Sequence, residues 1–260
     1  MASGGVPALL SPLNDKAVDC SALTWTEFAL ASVIVFVGST LQASVGFGMG
    51  LLASPVLILL DSRFVPGPIL FATLVLTMLL TYREHYAIDL HGLRWAIVGR
   101  LAGTFVAALV FLVLPDTQIV TLFGAFILLG VAMSLAGIKL RPVRPVLLGA
   151  GVLSGIMGTF ASVGGPPMAL IYQDAPGARI RSTMSSFFLI GTIVSLFALW
   201  IAGRFGVDEM RLAVTMVPGL IAGYVTSRWT TGIVDRGYTR RAVLSVATAS
   251  GVVVIARQFF

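Results

Sequence analysis

Charge is what this chain has least of. Only 11% of its 260 residues are Asp, Glu, Lys or Arg, under half the ~25% of an average soluble domain. A soluble fold of this length could not hide a chain that is 57% hydrophobic, so lipid must serve as solvent for much of it. The single cysteine, Cys20, forbids an internal disulfide and offers no metal cluster. The two histidines, His85 and His91, share one short polar loop, which excludes a transmembrane haem pair. Glu27, Asp61, Glu84, Asp116 and Asp174 all sit at the ends of apolar runs, and none lies within one. A buried carboxylate relay of the sort used by proton pumps is therefore missing. With no HExxH motif either, the chain reads as a non-enzyme that calls for no metal and no cofactor.

Basic residues are in excess, giving a net charge of +6. Nearly all of them stand at the ends of apolar runs, where they halt translocation and meet anionic head groups. They form no patch interleaved with aromatics, so nucleic acid is not an expected partner. The lipid bilayer is.

Two long stretches without any charge dominate what is present: 33 residues between Glu27 and Asp61, and 29 between Arg144 and Asp174. One crossing needs about 20 apolar residues, so each run is too long for a single helix and short for two. Each is broken near its middle, by Ser44-Val45-Gly46-Phe47-Gly48-Met49-Gly50 and by Ser162-Val163-Gly164-Gly165-Pro166-Pro167. Such paired interruptions are the best sequence pointer to a transporter's substrate site.

After the first run come apolar stretches 64–82, 95–115 and 117–138; after the second come 182–203, 212–227 and 242–256. The expected fold is thus an all-α polytopic membrane protein of two repeats. Each repeat has one interrupted or re-entrant segment and three conventional helices, about eight transmembrane segments in all. The expected division is a polar extracytoplasmic leader (1–24), a first repeat (25–138), a cytoplasmic linker (139–145) and a second repeat (146–260). The triplet Ser44-Val45-Gly46 recurs as Ser162-Val163-Gly164. If each interrupted segment returns to the side it came from, every strongly basic loop falls inside, both termini lie outside, and the repeats are inverted copies. Hydropathy alone does not separate a hairpin from two short crossings.

Where a helix restarts after a break, unpaired N–H groups and a partial positive charge favour an oxyanion. This makes Gln42, Ser44, Val45, Gly46, Phe47, Gly48, Gly50, Thr159, Ser162, Val163, Gly164, Gly165 and Pro166 the candidate substrate site. Small-residue spacings such as Gly46-x-x-x-Gly50 and Gly151-x-x-x-Gly155 equally serve close helix packing. Arg100 is the one charge well inside a span; either it guides anions or it snorkels to the interface. Arg83 and Arg181 could line an approach for anions or anchor helix ends. Thr73, Thr77, Ser185, Ser186, Thr192 and Ser195 place hydroxyls within spans, one or two of them candidates for a cavity.

The stretches Gly38 to Leu60 (GSTLQASVGFGMGLLASPVLILL) and Gly155 to Gln173 (GIMGTFASVGGPPMALIYQ) resemble the paired glycine-rich signatures of the TauE/SafE family of sulfite exporters and sulfonate permeases. The resemblance covers essentially the whole chain. It departs from the usual pattern where Phe47 and Met49 interrupt the first cluster and where Pro166-Pro167 closes the second. It implies a multi-pass carrier of the bacterial inner membrane for sulfite or a small organosulfonate. The absence of intramembrane acids favours export. Uptake of an organosulfonate or small carboxylate is the alternative, followed by an anion channel or a non-transporting membrane subunit. A homodimer is compatible with the sequence, which fixes no stoichiometry.

Overall fold

A computed structural model describes residues 25–136 and 138–234. The expected leader, the basic cluster Arg236, Arg240 and Arg241, and the expected span 242–256 lie outside the described residues. Within them the chain forms α1 (Trp25–Val45), α2 (Met49–Leu60), α3 (Gly67–Glu84), α4 (Leu90–Val113), α5 (Asp116–Ala136), α6 (Arg144–Ala161), α7 (Gly165–Tyr172), α8 (Gly177–Ile201) and α9 (Val207–Val234), with no strand among the described residues. The protein is an all-α polytopic membrane protein. Six of these helices (α1, α4, α5, α6, α8 and α9) are long and apolar enough to cross a bilayer.

The helices are built for lipid. On α4, Val98, Leu101, Phe105, Leu109 and Leu112 face outward, while Ala96, Gly99, Arg100, Gly103, Thr104 and Ala107 are buried. Large apolar groups outside and small or polar groups inside is the pattern expected where tails, not water, surround the protein.

Each interrupted run folds as a hairpin. At 1.5 Å per residue, the 12 residues of α2 reach about 18 Å and the 8 of α7 about 12 Å, too short for a hydrocarbon core of about 30 Å. α2 packs back along α1, where a Cβ at Gly38 would meet Met49 at 3.3 Å and Ala53 at 3.6 Å. The end of α7 returns to the segment before α6. There Leu140 N–H donates to Leu170 O (3.2 Å), Gln173 Nε2 to Ile138 O (2.8 Å), and Lys139 pairs with Asp174 (2.9 Å). The returning limbs α2 and α7 are thus too short to cross unaided, whereas α1 and α6 are of spanning length.

The most extensive helix pairs are α4 with α6 and α1 with α9. Both run parallel. Gly99 lies against Leu148, Gly103 against Val152 and Thr104 beside Thr159; Gly219 lies against Ser32, Gly223 against Phe36, and Ser44 bonds Thr230. α3 and α8 pack antiparallel, with Glu84 at Arg181 and Ser182, and with Leu70 in one apolar cluster with Leu196 and Leu199. Exchanging α1 to α4 for α6 to α9 maps the first two pairs onto each other and the third onto itself.

Charges gather at the two ends. Arg83, Glu84, Asp89, Arg179, Arg181, Lys139 and Asp174 are linked in ion pairs at one face, where Arg94 and Arg144 also flank Trp95. The pairs Asp61–Arg63 and Asp208–Arg211 sit at the other ends of their helices.

A Cβ at Gly103 would overlap the Val152 carbonyl, whereas one at Gly149 meets nothing within 4 Å. Overpacking costs about 1–3 kcal/mol, so Gly103→Val should lower the melting temperature in detergent by several degrees. Gly149→Val should leave it nearly unchanged.

Candidate functional site

The first break is made by glycine. α1 stops at Val45, and Gly46 (φ 101°) and Gly48 (φ 123°) take a backbone region that L side chains rarely adopt. Gln42 stitches the break together: its carbonyl accepts from Gly46 N–H (2.7 Å), and its Oε1 accepts from Met49 N–H (3.2 Å) at the start of α2. One of the free donors expected at this restarting helix is therefore used by the protein itself.

The second break is made differently. Ser162 adopts the left-handed conformation (φ 58°), donating to Gly158 O (3.0 Å), while Val163 N–H reaches back to Met157 O (3.3 Å). The Ser162-to-Gly158 bond is that of an αL helix end, formed here without glycine. Pro166 and Pro167 stand in the first turn of α7 and carry no N–H, so fewer backbone donors are present than a bare helix start would offer. The Gly164 carbonyl accepts from Ser154 Oγ (2.5 Å).

The two breaks interlock. A Cβ at Gly50 would overlap the Ser162 carbonyl, and one at Gly165 would fall 3.1 Å from Phe47 Cβ. Equivalent limb ends, Val45 and Ala161, and equivalent starts, Met49 and Gly165, are each 116 positions apart (161 − 45, 165 − 49). The recurring Ser-Val-Gly triplets are 118 apart (162 − 44) and do not superpose. Ser44 lies inside α1, whereas Ser162 follows α6.

At the junction lies a small cavity. Of the predicted residues, Gln42, Phe47, Gly48, Ser162, Val163, Gly164, Gly165 and Pro166 line it. Ser44, Val45, Gly46, Gly50 and Thr159 do not. Ser44 bonds Thr40 O and Thr230, Val45 packs into the α1–α3–α9 core, and Gly46 backs onto Arg181. Gly50 forms the crossing itself, and Thr159 bonds Gly155 O and Ser195.

Arg100 also lines the cavity and does not snorkel. Only 2% of it is exposed. Its Nη1 donates to Ser154 Oγ (2.8 Å) and Ser154 O (3.2 Å), and the guanidinium lies 5.0 Å from the Phe187 ring centre and 5.8 Å from that of Phe188. No carboxylate pairs with it among the described residues, and its Nε has no acceptor. Glycines make the space: a Cβ at Gly158, Gly164 or Gly191 would strike the guanidinium. A cation at mid-helix costs about 2.5–3.5 kcal/mol in a bilayer, and two hydrogen bonds to one serine offset only part of that.

Gln42, 3% exposed, is the other unsatisfied group at the cavity: its Nε2 donors lack a partner. Thr73 and Thr192, two of the six flagged hydroxyl residues, complete the lining with Leu51, Leu70, Gly158 and Phe188. Sequence reasoning missed Ser154, Gly158, Gly191 and the Phe187–Phe188 pair. Their spacing carries no signature, because they meet Arg100 from other helices.

Arg83 and Arg181 do not line the cavity. Both bond the buried Glu84, at 3.0 Å and 2.8 Å, and Arg83 also donates to Ala43 O at the end of α1 and to Ser227 on α9.

The sequence profile of the sulfite exporter TauE/SafE family matches residues 30–254. The chain belongs to that family. Its members are membrane transporters of the sulfite and sulfonate exporter type, which agrees with the multi-pass fold seen here. No curated protein and no solved structure matches the chain.

In this TauE/SafE chain, Asp89 closes the charged face. Burial works to raise its pKa. The Gly92 N–H (3.2 Å), the Tyr172 hydroxyl (3.1 Å) and Arg179 (3.3 Å) outweigh burial and hold it below the usual carboxylate value. A depressed carboxylate stabilises the fold above its unfolded pKa of about 4 and loses that contribution as pH falls further. Melting curves on the acid side should therefore drop less steeply for Asp89→Asn than for the wild type.

Proposed function

We propose that the chain is a secondary carrier exporting a small sulfur oxyanion, sulfite foremost, by alternating access around the cavity at the crossed breaks. The observation that carries this reading is Arg100: a buried guanidinium with no carboxylate beside it among the described residues, at the junction of the two broken segments. A protein retains such a group in lipid where an anion comes to it. Export needs no coupling carboxylate, since an interior negative by 100 mV drives each negative charge outward by about 2.3 kcal/mol.

The antiparallel α3–α8 pair and the exchange of α1–α9 with α6–α4 support two inverted halves, 25–138 and 146–260, joined by a cytoplasmic linker. In such transporters one half rocks against the other around a fixed site. The reading places the protein in the bacterial inner membrane, with the face bearing Arg83, Lys139 and Arg181 inside and both termini outside.

Purified protein in liposomes should show saturable sulfite flux driven out of a negative interior. Arg100→Gln should lower it at least about tenfold, the cost of losing charged hydrogen bonds to the solute. Single-channel currents would make the protein a pore, and flux following the opposite potential would make it an uptake permease. A cysteine placed at position 140 should label only from the cytoplasmic side. Labelling from outside would reverse the orientation.

A further inference from the structure

The charges around the cavity can be counted, and the count restricts what binds there. α6 and α8 pack against α4 around Arg100, and the break before α7 touches it. The residues that face the guanidinium from them are Ser154, Gly158, Gly164, Phe187, Phe188 and Gly191, all uncharged. The charged residues of these elements stand at helix ends and are engaged there. Asp89 is held by Tyr172 and Arg179, Arg94 and Arg144 by Trp95, and Arg181 by Glu84. Gln42 adds N–H donors to the cavity but no charge. The empty cavity therefore holds a single uncompensated positive charge.

Resting on the carrier reading above, we propose that the cavity binds its solute as a monoanion, an –SO3⁻ group carried as hydrogensulfite or as a small organosulfonate, and rejects the dianions sulfite and sulfate. A monoanion beside Arg100 makes the buried centre neutral. A dianion would leave one negative charge without a partner in a low-dielectric site, and such a residue of charge outweighs the stronger attraction to the cation. Leu51, Leu70, Val163, Pro166 and Phe188 form much of the wall. That surface tolerates an S–H, S–OH or S–CH3 substituent and offers a second negative oxygen nothing. The loaded carrier is then neutral at its centre while the empty one carries +1, so the membrane potential acts on the return of the empty carrier.

The test is equilibrium binding to purified full-length protein, with sulfite titrated across its second ionisation and methanesulfonate, a monoanion throughout, as the control for titration of the protein. Total-sulfite affinity should fall about tenfold per pH unit above that ionisation, as one proton per bound solute requires. Methanesulfonate affinity should stay constant, and sulfate should fail to compete. Gln42→Lys, which adds a second cation, should let sulfate compete. Sulfite binding that is flat or tightens with pH, or sulfate competing as well as methanesulfonate in the wild type, would overturn the monoanion rule. If that happens while liposome flux persists, the carrier reading stands without it; no binding and no flux for any anion would remove both. Should Gln42→Lys not fold, the wild-type pH series decides alone.

Discussion

In hydrocarbon, a backbone N–H or C=O with no partner costs several kcal/mol, so a helix can be broken only where protein or water covers the ends. This chain breaks two helices and covers each break with the other. Gly50 sits against the Ser162 carbonyl and Gly165 against Phe47, so neither break is exposed to lipid tails at the crossing. The rest of the architecture serves that crossing. The parallel pairs α1–α9 and α4–α6 clamp the long limbs, and α3 and α8 pass between them.

The two halves solve the same local problem with different chemistry. In the first, positive-φ glycines make the turn and the Gln42 side chain caps the restarting helix. In the second, Ser162 turns the chain, Pro166 and Pro167 remove two donors outright, and Gly158 stands at the place of Gln42. The room opened by Gly158, Gly164 and Gly191 is filled by the Arg100 guanidinium. The positive potential of the cavity thus comes chiefly from a side chain, with backbone dipoles in support. The site is asymmetric although its frame repeats. This asymmetry suits a carrier whose solute brings the missing negative charge.

Arg83 and Arg181 illustrate how similar residue types part ways in the fold. Arg83 and Arg181 border apolar runs in the sequence, whereas Arg100 lies inside one. Glu84 takes the first two, and Arg83 further ties α1 to α9 through Ala43 and Ser227. Of these three, Arg100 alone has no carboxylate partner among the described residues. The distinction rests on which helix turn meets which, and that depends on the packing of α3 against α8.

Much was legible beforehand because lipid imposes strict rules on a chain. Charge-free runs of the wrong length, interrupted by Gly and Pro, announced the hairpins; Arg at run ends announced the faces; Arg100 stood out by depth alone. Tertiary structure decided the rest. The repeated Ser-Val-Gly triplet is out of register by two positions, because hydrogen-bonded helix ends, not matching letters, set equivalence. Ser44 and Thr159 turned to neighbouring helices, since a hydroxyl in lipid bonds the nearest carbonyl or hydroxyl. Ser154 and Gly191 reach Arg100 from two other helices, a meeting that depends on crossing angle and helix rotation and that no linear spacing encodes.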